Sequence, residues 1–184
     1  MRIFRLVVLG LLCASIPGWS RALAGQAAPP PRAVVALRQM GFLIGEWDGD
    51  GWIQAGPERR TFHEHESVRY AAGGTVVVVD GTGTVTSAGP TQGTIGHLAF
   101  AVLSYDSATT TFKWRAFRKE GDEIDDQPTI SDRKLVWGFA VPQAGRVRFT
   151  ITLTPAGEWW EIGEFSRDGT AWAKFFEMTL KKHT

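Results

Sequence analysis

From residue 46 onward, short runs of β-branched and aromatic residues recur about every ten to fifteen positions, separated by Gly, Asp-Gly, Pro or Ser/Thr clusters. This punctuation predicts strands over 46–55, 60–70, 75–81, 94–105, 111–119, 123–129, 134–141, 146–154, 158–166 and 171–182. Strict alternation marks the eighth of them. Val147, Phe149, Ile151 and Leu153 fall on one face, and Arg146, Arg148, Thr150, Thr152 and Thr154 on the other, so one side of the sheet is dry and one wet. Residues 33–40 differ: Val34, Val35 and Leu37 stand among helix formers, with Gly41 as a stop, which predicts one short helix. Ten consecutive strands with short connections form a meander. Closing it on itself removes two long unpaired edges, so the expected fold is all-β, a closed up-and-down antiparallel barrel of about ten strands behind a short N-terminal helix.

The start of the chain has another pattern. Arg2 and Arg5 precede the apolar run from Leu6 to Ile16, and Pro17 and the small-residue site Ala22-Leu23-Ala24 follow. This is the pattern of a secretory signal peptide over 1–24. The apolar run is about half the ~20 residues of a membrane-spanning helix, and no later run is longer, so no membrane span is expected. Leu12 before Cys13 is too large for a lipidation site. Residues 25–32, with Pro29-Pro30-Pro31, read as an extended leader, and 33–184 as a single barrel domain. The expected location is periplasmic or secreted.

Composition narrows the function classes. The 20 Lys+Arg against 19 Asp+Glu argue against nucleic acid as a partner. Removal of 1–24 takes away Arg2, Arg5, Arg21 and the single Cys, leaving 17 basic and 19 acidic residues and no disulfide scaffold. A domain of this size buries enough surface to fold without one.

The segment Gly41-Phe42-Leu43-Ile44-Gly45-Glu46-Trp47-Asp48-Gly49-Asp50-Gly51 resembles the opening of lipocalin-like (calycin-type) barrels, in which Gly-x-Trp starts the first strand after a short helix. It is most similar to bacterial barrels of unknown function whose first strand reads Phe-Leu-x-Gly-x-Trp-x-Gly, distantly related to the nitrobindin haem barrels. Glu66, Gly73-Gly74, Tyr105-Asp106 and Phe112 follow in the matching order. The resemblance implies a barrel whose narrow end is plugged by Trp47, and no particular activity. The haem-binding relatives carry an axial histidine on the closing strand. Here that stretch reads Ala173-Lys174-Phe175-Phe176-Glu177-Met178-Thr179-Leu180, and His183 falls in the terminal tail, so no haem or other cofactor is expected.

Candidate chemistry concentrates on the second strand. Thr61, His63, His65, Ser67 and Arg69 form a polar face, which assigns Phe62, Glu64, Glu66, Val68 and Tyr70 to the interior. Two carboxylates about 7 Å apart among apolar groups need a cation, a donor or a raised pKa. They serve as ligand anchors or general acids, or else belong to a structural network with Arg115, Arg118 or Lys174. His63 and His65 have the spacing of strand metal sites, but no third ligand lies nearby in sequence, and no metal is expected. Gly81-Thr82-Gly83 precedes no helix, which excludes a phosphate loop. No Gly-x-Ser-x-Gly occurs. The aromatic excess, with Ala99, Ala101, Ala116, Gly138 and Gly163 as small lining residues, points to a cavity.

The combined expectation is a non-enzymatic exported barrel that binds a small apolar or amphipathic molecule. Its expected lining is Trp47, Phe62, Glu64, Glu66, Tyr70, Trp114, Arg115 and Trp137. The alternatives are a barrel enzyme using Glu64 and Glu66 for acid/base chemistry (an isomerase, cyclase or hydrolase) and a structural protein with a filled barrel.

Overall fold

The computed structural model describes residues 28–183. The expected signal peptide lies outside these residues, and the expected leader is described only from residue 28. Pro31 fixes the entry to α1 (Arg32–Leu37), which continues as a 3-10 turn over Arg38–Phe42. The helix is thus shorter than its apolar pattern suggested. Leu37, Met40 and Leu43 are fully buried.

Eleven antiparallel strands follow. They are β1 (Gly45–Ala55), β2 (Glu58–Ala71), β3 (Val76–Val85), β4 (Ile95–Asp106), β5 (Thr111–Arg118), β6 (Glu123–Asp126), β7 (Thr129–Ser131), β8 (Lys134–Val141), β9 (Gly145–Leu153), β10 (Trp159–Ser166) and β11 (Ala173–Lys182). They form one sheet in the order β6-β5-β4-β3-β2-β1-β11-β10-β9-β8-β7. The meander is as expected, and the last strand returns to pair with the first. Trp47 lies opposite Lys182 and Gly51 opposite Met178. At Gly49 the two backbones approach so closely that a Cβ would lie 2.1 Å from the Thr179 carbonyl oxygen, so only glycine fits.

The expectation of ten strands fails at 123–129. Pro128 has no N–H to donate to a ladder, and the run splits into β6 and β7, which become the two edges of the sheet. The architecture is therefore a strongly curled half-barrel, and no ladder joins β6 to β7. Both edges are short, four and three residues. They are also bridged by side chains. The Gly138 N–H on β8 donates to Asp126 Oδ2 on β6 at 2.8 Å, and the rings of Trp114 on β5 and Trp137 on β8 stack at 5.3 Å.

The hollow of the curl has two unlike ends. At one, α1 and the 3-10 turn cover Trp47, Val77, Leu103, Leu135, Trp159 and Leu180, each 2% exposed or less. Trp47 Nε1 donates to the Leu43 carbonyl at 2.7 Å and its ring meets Trp159 edge-on at 5.8 Å. At the other end Phe62, Trp137, Phe139, Phe149 and Phe176 also face inward but are only half-buried. No helix among the described residues is long and apolar enough to cross a membrane.

Candidate functional site

The register sets the inner face. Trp47 opposes Glu66 and Gly49 opposes Glu64 across β1 and β2. On the other side of β2, Glu66 opposes Gly81 and Glu64 opposes Gly83. These glycines make room for the carboxyl groups: a Cβ at Gly81 would lie 2.6 Å from Glu66 Oε1, and one at Gly83 would lie 2.4 Å from Glu64 Oε2. Glu64 is 2% and Glu66 6% exposed. A third buried acid joins them. Glu161 on β10 is 6% exposed and accepts a 3.1 Å hydrogen bond from Trp159 Nε1.

Among the described residues none of the three acids forms an ion pair. Burial pushes the Glu64 carboxyl up to about 8, and the charge of Glu161 adds to the rise. Burial also lifts Glu161 to about 8, opposed by the Trp159 hydrogen bond. Glu66 is held well above the carboxylate range, first by burial and then by Glu64, Glu161 and Asp80. The expected network with Arg115, Arg118 or Lys174 is absent. Arg115 faces outward to Glu123 and Asp125 at 2.9 and 3.0 Å, Lys174 is held by Glu177 at 2.7 Å, and Arg118 is held by Asp122.

Among the described residues, four polar atoms on this face are buried without a hydrogen-bond partner: Glu64 Oε1, Glu66 Oε2, Trp114 Nε1 and Trp137 Nε1. A chain of rings runs between the acids and the indoles. Phe62, two residues from Glu64 on the same face, stacks on Phe176 at 5.6 Å, and Phe176 meets Phe149 edge-on at 5.6 Å. Phe149 stacks on Trp137 at 4.5 Å, and Trp137 in turn on Trp114. Where β6, β8 and β9 converge, a cleft of about 310 Å³ opens beside Trp137, Phe139, Asp126 and Trp172. A larger hollow, about 510 Å³, lies outside the curl between the 3-10 turn and the β7–β8 hairpin, and none of the orphaned atoms lines it.

The residues expected to line a site therefore divide. Trp47, Phe62, Glu64, Glu66, Trp114 and Trp137 share the inner face. Tyr70 is inward in register but 39% exposed, its hydroxyl 3.4 Å from the Leu37 carbonyl at the closed end. Arg115 is on the outside. Ala99, Ala101, Ala116 and Gly163 line the inner face in register, whereas Gly138 pairs with Arg148 on the outer one. Glu161 is the residue the sequence reading missed.

Three of the four histidines, His63, His65 and His183, stand on the opposite surface. His63 Nδ1 lies 3.0 Å from Asp50, His65 Nδ1 2.9 Å from Asp48 and Nε2 3.3 Å from Glu46. His183 also contacts Asp48, and its N–H is held by the Glu46 carbonyl at 2.9 Å, so it extends the β1–β11 ladder and is not a loose tail. Among the described residues no three such side chains are disposed to hold a metal.

No family model and no curated protein sequence matches the chain. Its fold is similar to the crystal structure of Rv2717c from M. tuberculosis, with a TM-score of 0.57 and 10% identity over 85% of this chain and 100% of that one. The likeness extends to an all-β architecture with a curled sheet, and at this identity it concerns the fold alone.

Proposed function

We propose that the protein is an exported, lipocalin-like binder whose curled sheet acts as a barrel, closed across the β6 and β7 edges, and that it holds a small apolar or amphipathic molecule along the ring chain. The observation carrying this reading is the set of four buried, unpartnered polar atoms on one inner face. A buried polar group without a partner costs about 1–3 kcal/mol, and a purely structural core would gain by replacing it. A few polar groups set in an apolar, aromatic lining are the usual composition of a ligand site. The contrast between a capped end and a half-exposed aromatic end supplies a floor and a mouth. The resemblance at Gly45-Glu46-Trp47 agrees with that geometry.

A second reading has one observation in its favour. Carboxyl groups lifted to about 8 suit proton transfer near neutral pH, as an isomerase, cyclase or hydrolase would require. Native mass spectrometry of the purified chain tests the main reading. A non-covalent mass increment that is lost on denaturation, or saturable uptake of an apolar fluorescent dye, is expected. A bare mass together with no dye uptake would sink it.

A further inference from the structure

The inner face buries carboxyl groups for which its own side chains supply no counter-charge. Glu64, Glu66 and Glu161 are buried together, and among the described residues no basic group of inward register pairs with them. Lys182 is exposed, its Nζ over the Trp47 ring at 5.3 Å from the centroid, Arg118 is exposed and held by Asp122, and Arg60 is exposed near the start of β2, 4.0 Å from Glu58. His97 stands opposite Gly83, across from Glu64, but burial lowers its pKa and so disfavours the imidazolium, and it forms no ion pair with the acid. Asp80, beside Gly81, is exposed and adds negative charge from the other face.

We infer that the ligand is a cation: an apolar molecule with a protonated amine that sits against Glu64 and Glu66, its body along Phe62, Phe176 and Phe149, and a hydrogen-bond acceptor at its far end facing the indole N–H groups of Trp137 and Trp114. This rests on the binding reading above and names the ligand class for the same site. Three physical arguments lead to it. In their ionised form Glu64 and Glu66 are acceptors only, and a charged N–H donor forms the strongest hydrogen bond to their orphaned oxygens. One positive charge offsets the desolvation and mutual repulsion that otherwise hold these acids in their protonated form. The aromatic faces beside Glu64 carry the negative quadrupole that attracts a cation's apolar flank. At the other end both orphaned atoms are N–H donors, which calls for an acceptor rather than a second cation.

The pH dependence has a definite sign. Burial keeps Glu64 and Glu161 protonated up to about 8, so an amine that pairs with the ionised form displaces a proton. Affinity for an amine then rises from about pH 6 to about pH 8, and a neutral ligand shows no such rise.

The test uses three fluorescent probes with one dansyl body: dansylcadaverine, which ends in a primary amine, its N-acetyl derivative, and the dansyl analogue ending in a carboxylate. The amine is expected to bind about tenfold or more tighter than the N-acetyl form at neutral pH, with release of a proton and an affinity that rises with pH. The preference for the amine is expected to disappear in Glu64→Gln and Glu66→Gln. Equal or tighter binding of the N-acetyl or carboxylate probe would overturn the cation assignment and leave the binding reading standing. Failure of all three probes would overturn both. If a Gln variant does not fold, the comparison of probes and pH on the wild-type chain still decides.

Discussion

The two faces of the β1–β2 ladder use the same residue types to opposite effect. On the outer face each acid of β1 meets a partner across the ladder: Asp48 opposes His65, Asp50 opposes His63, and Glu46 opposes Ser67, whose hydroxyl donates to it at 2.7 Å. On the inner face Glu64 meets Gly49 and Gly83, and Glu66 meets Trp47 and Gly81. Burial raises Asp48, but the hydrogen bond from His65 and the charges of His65, His183 and His63 outweigh it and hold its carboxyl below the usual range. Glu64, one strand away and facing inward, is pushed up to about 8. The outer acids are thus satisfied by the fold itself. The inner ones are given space and no counter-charge, which is a cost to the free protein and an opportunity for a ligand.

The largest contrast lies between tryptophans. Trp47 is 1% exposed and joins the 3-10 turn to the sheet, so Trp47→Ala is expected to destabilise by about 3–5 kcal/mol. Trp160 points outward, is 37% exposed and donates to Glu177, and Trp160→Ala should cost about 1 kcal/mol or less. Chemical denaturation of both variants measures the difference. Equal losses would mean that the closed end is not closed.

The acids come next. The unfolded chain releases the protons of Glu64 and Glu161 near the ordinary carboxylate value of 4.5, while the folded chain keeps them to about 8. Between these values the folded state binds more protons, so stability falls as pH rises and the full loss is present above about 8. At about 1.4 kcal/mol per pKa unit the loss from Glu64 amounts to a few kcal/mol. Glu64→Gln should flatten this decline and stabilise the ligand-free protein at pH 8, as read from melting temperatures across pH. Destabilisation by Gln at every pH would instead reveal a cation paired with the carboxylate.

Much of this inner face was legible in the sequence, for a physical reason. In β2 the polar positions Thr61, His63, His65 and Ser67 are unbroken, so the parity of Glu64 and Glu66 follows from alternation alone. In β5 the run Phe112-Lys113-Trp114-Arg115-Ala116-Phe117-Arg118 breaks it. Phe117 is outward and 39% exposed while Arg118 is inward in register, and the parity of Arg115 was correspondingly poorly marked. Glu161 was hidden by Trp159-Trp160, since either indole suited the core. The signal was Gly163 and Phe165, which share the parity of Trp159 and Glu161. Pro128 was visible too, and it marks where the sheet stops pairing. Neither the missing counter-charge nor the orphaned indoles can be read from a sequence, because each depends on strands that meet only in the curl.

The smallest effect belongs to the outer cluster. Asp48 is lowered, so its contribution is present above the unfolded value of about 3.8 and disappears as pH falls through the folded one, the reverse of Glu64. His63, His65 and His183 around it have side chains 49%, 45% and 60% exposed, and solvent and salt screen such pairs. Asp48→Asn should therefore cost about 1 kcal/mol or less at neutral pH and low salt, and less still in 1 M salt. Its effect should vanish in acid once the pH falls below the lowered pKa of Asp48, where the wild-type carboxyl is itself protonated. The measurement is the melting temperature of the variant against wild type at two salt concentrations and across acid pH. A salt-independent loss of several kcal/mol would show that the outer carboxylate carries structural strain comparable to the inner ones. The division of labour between the two faces of the ladder would then be wrong.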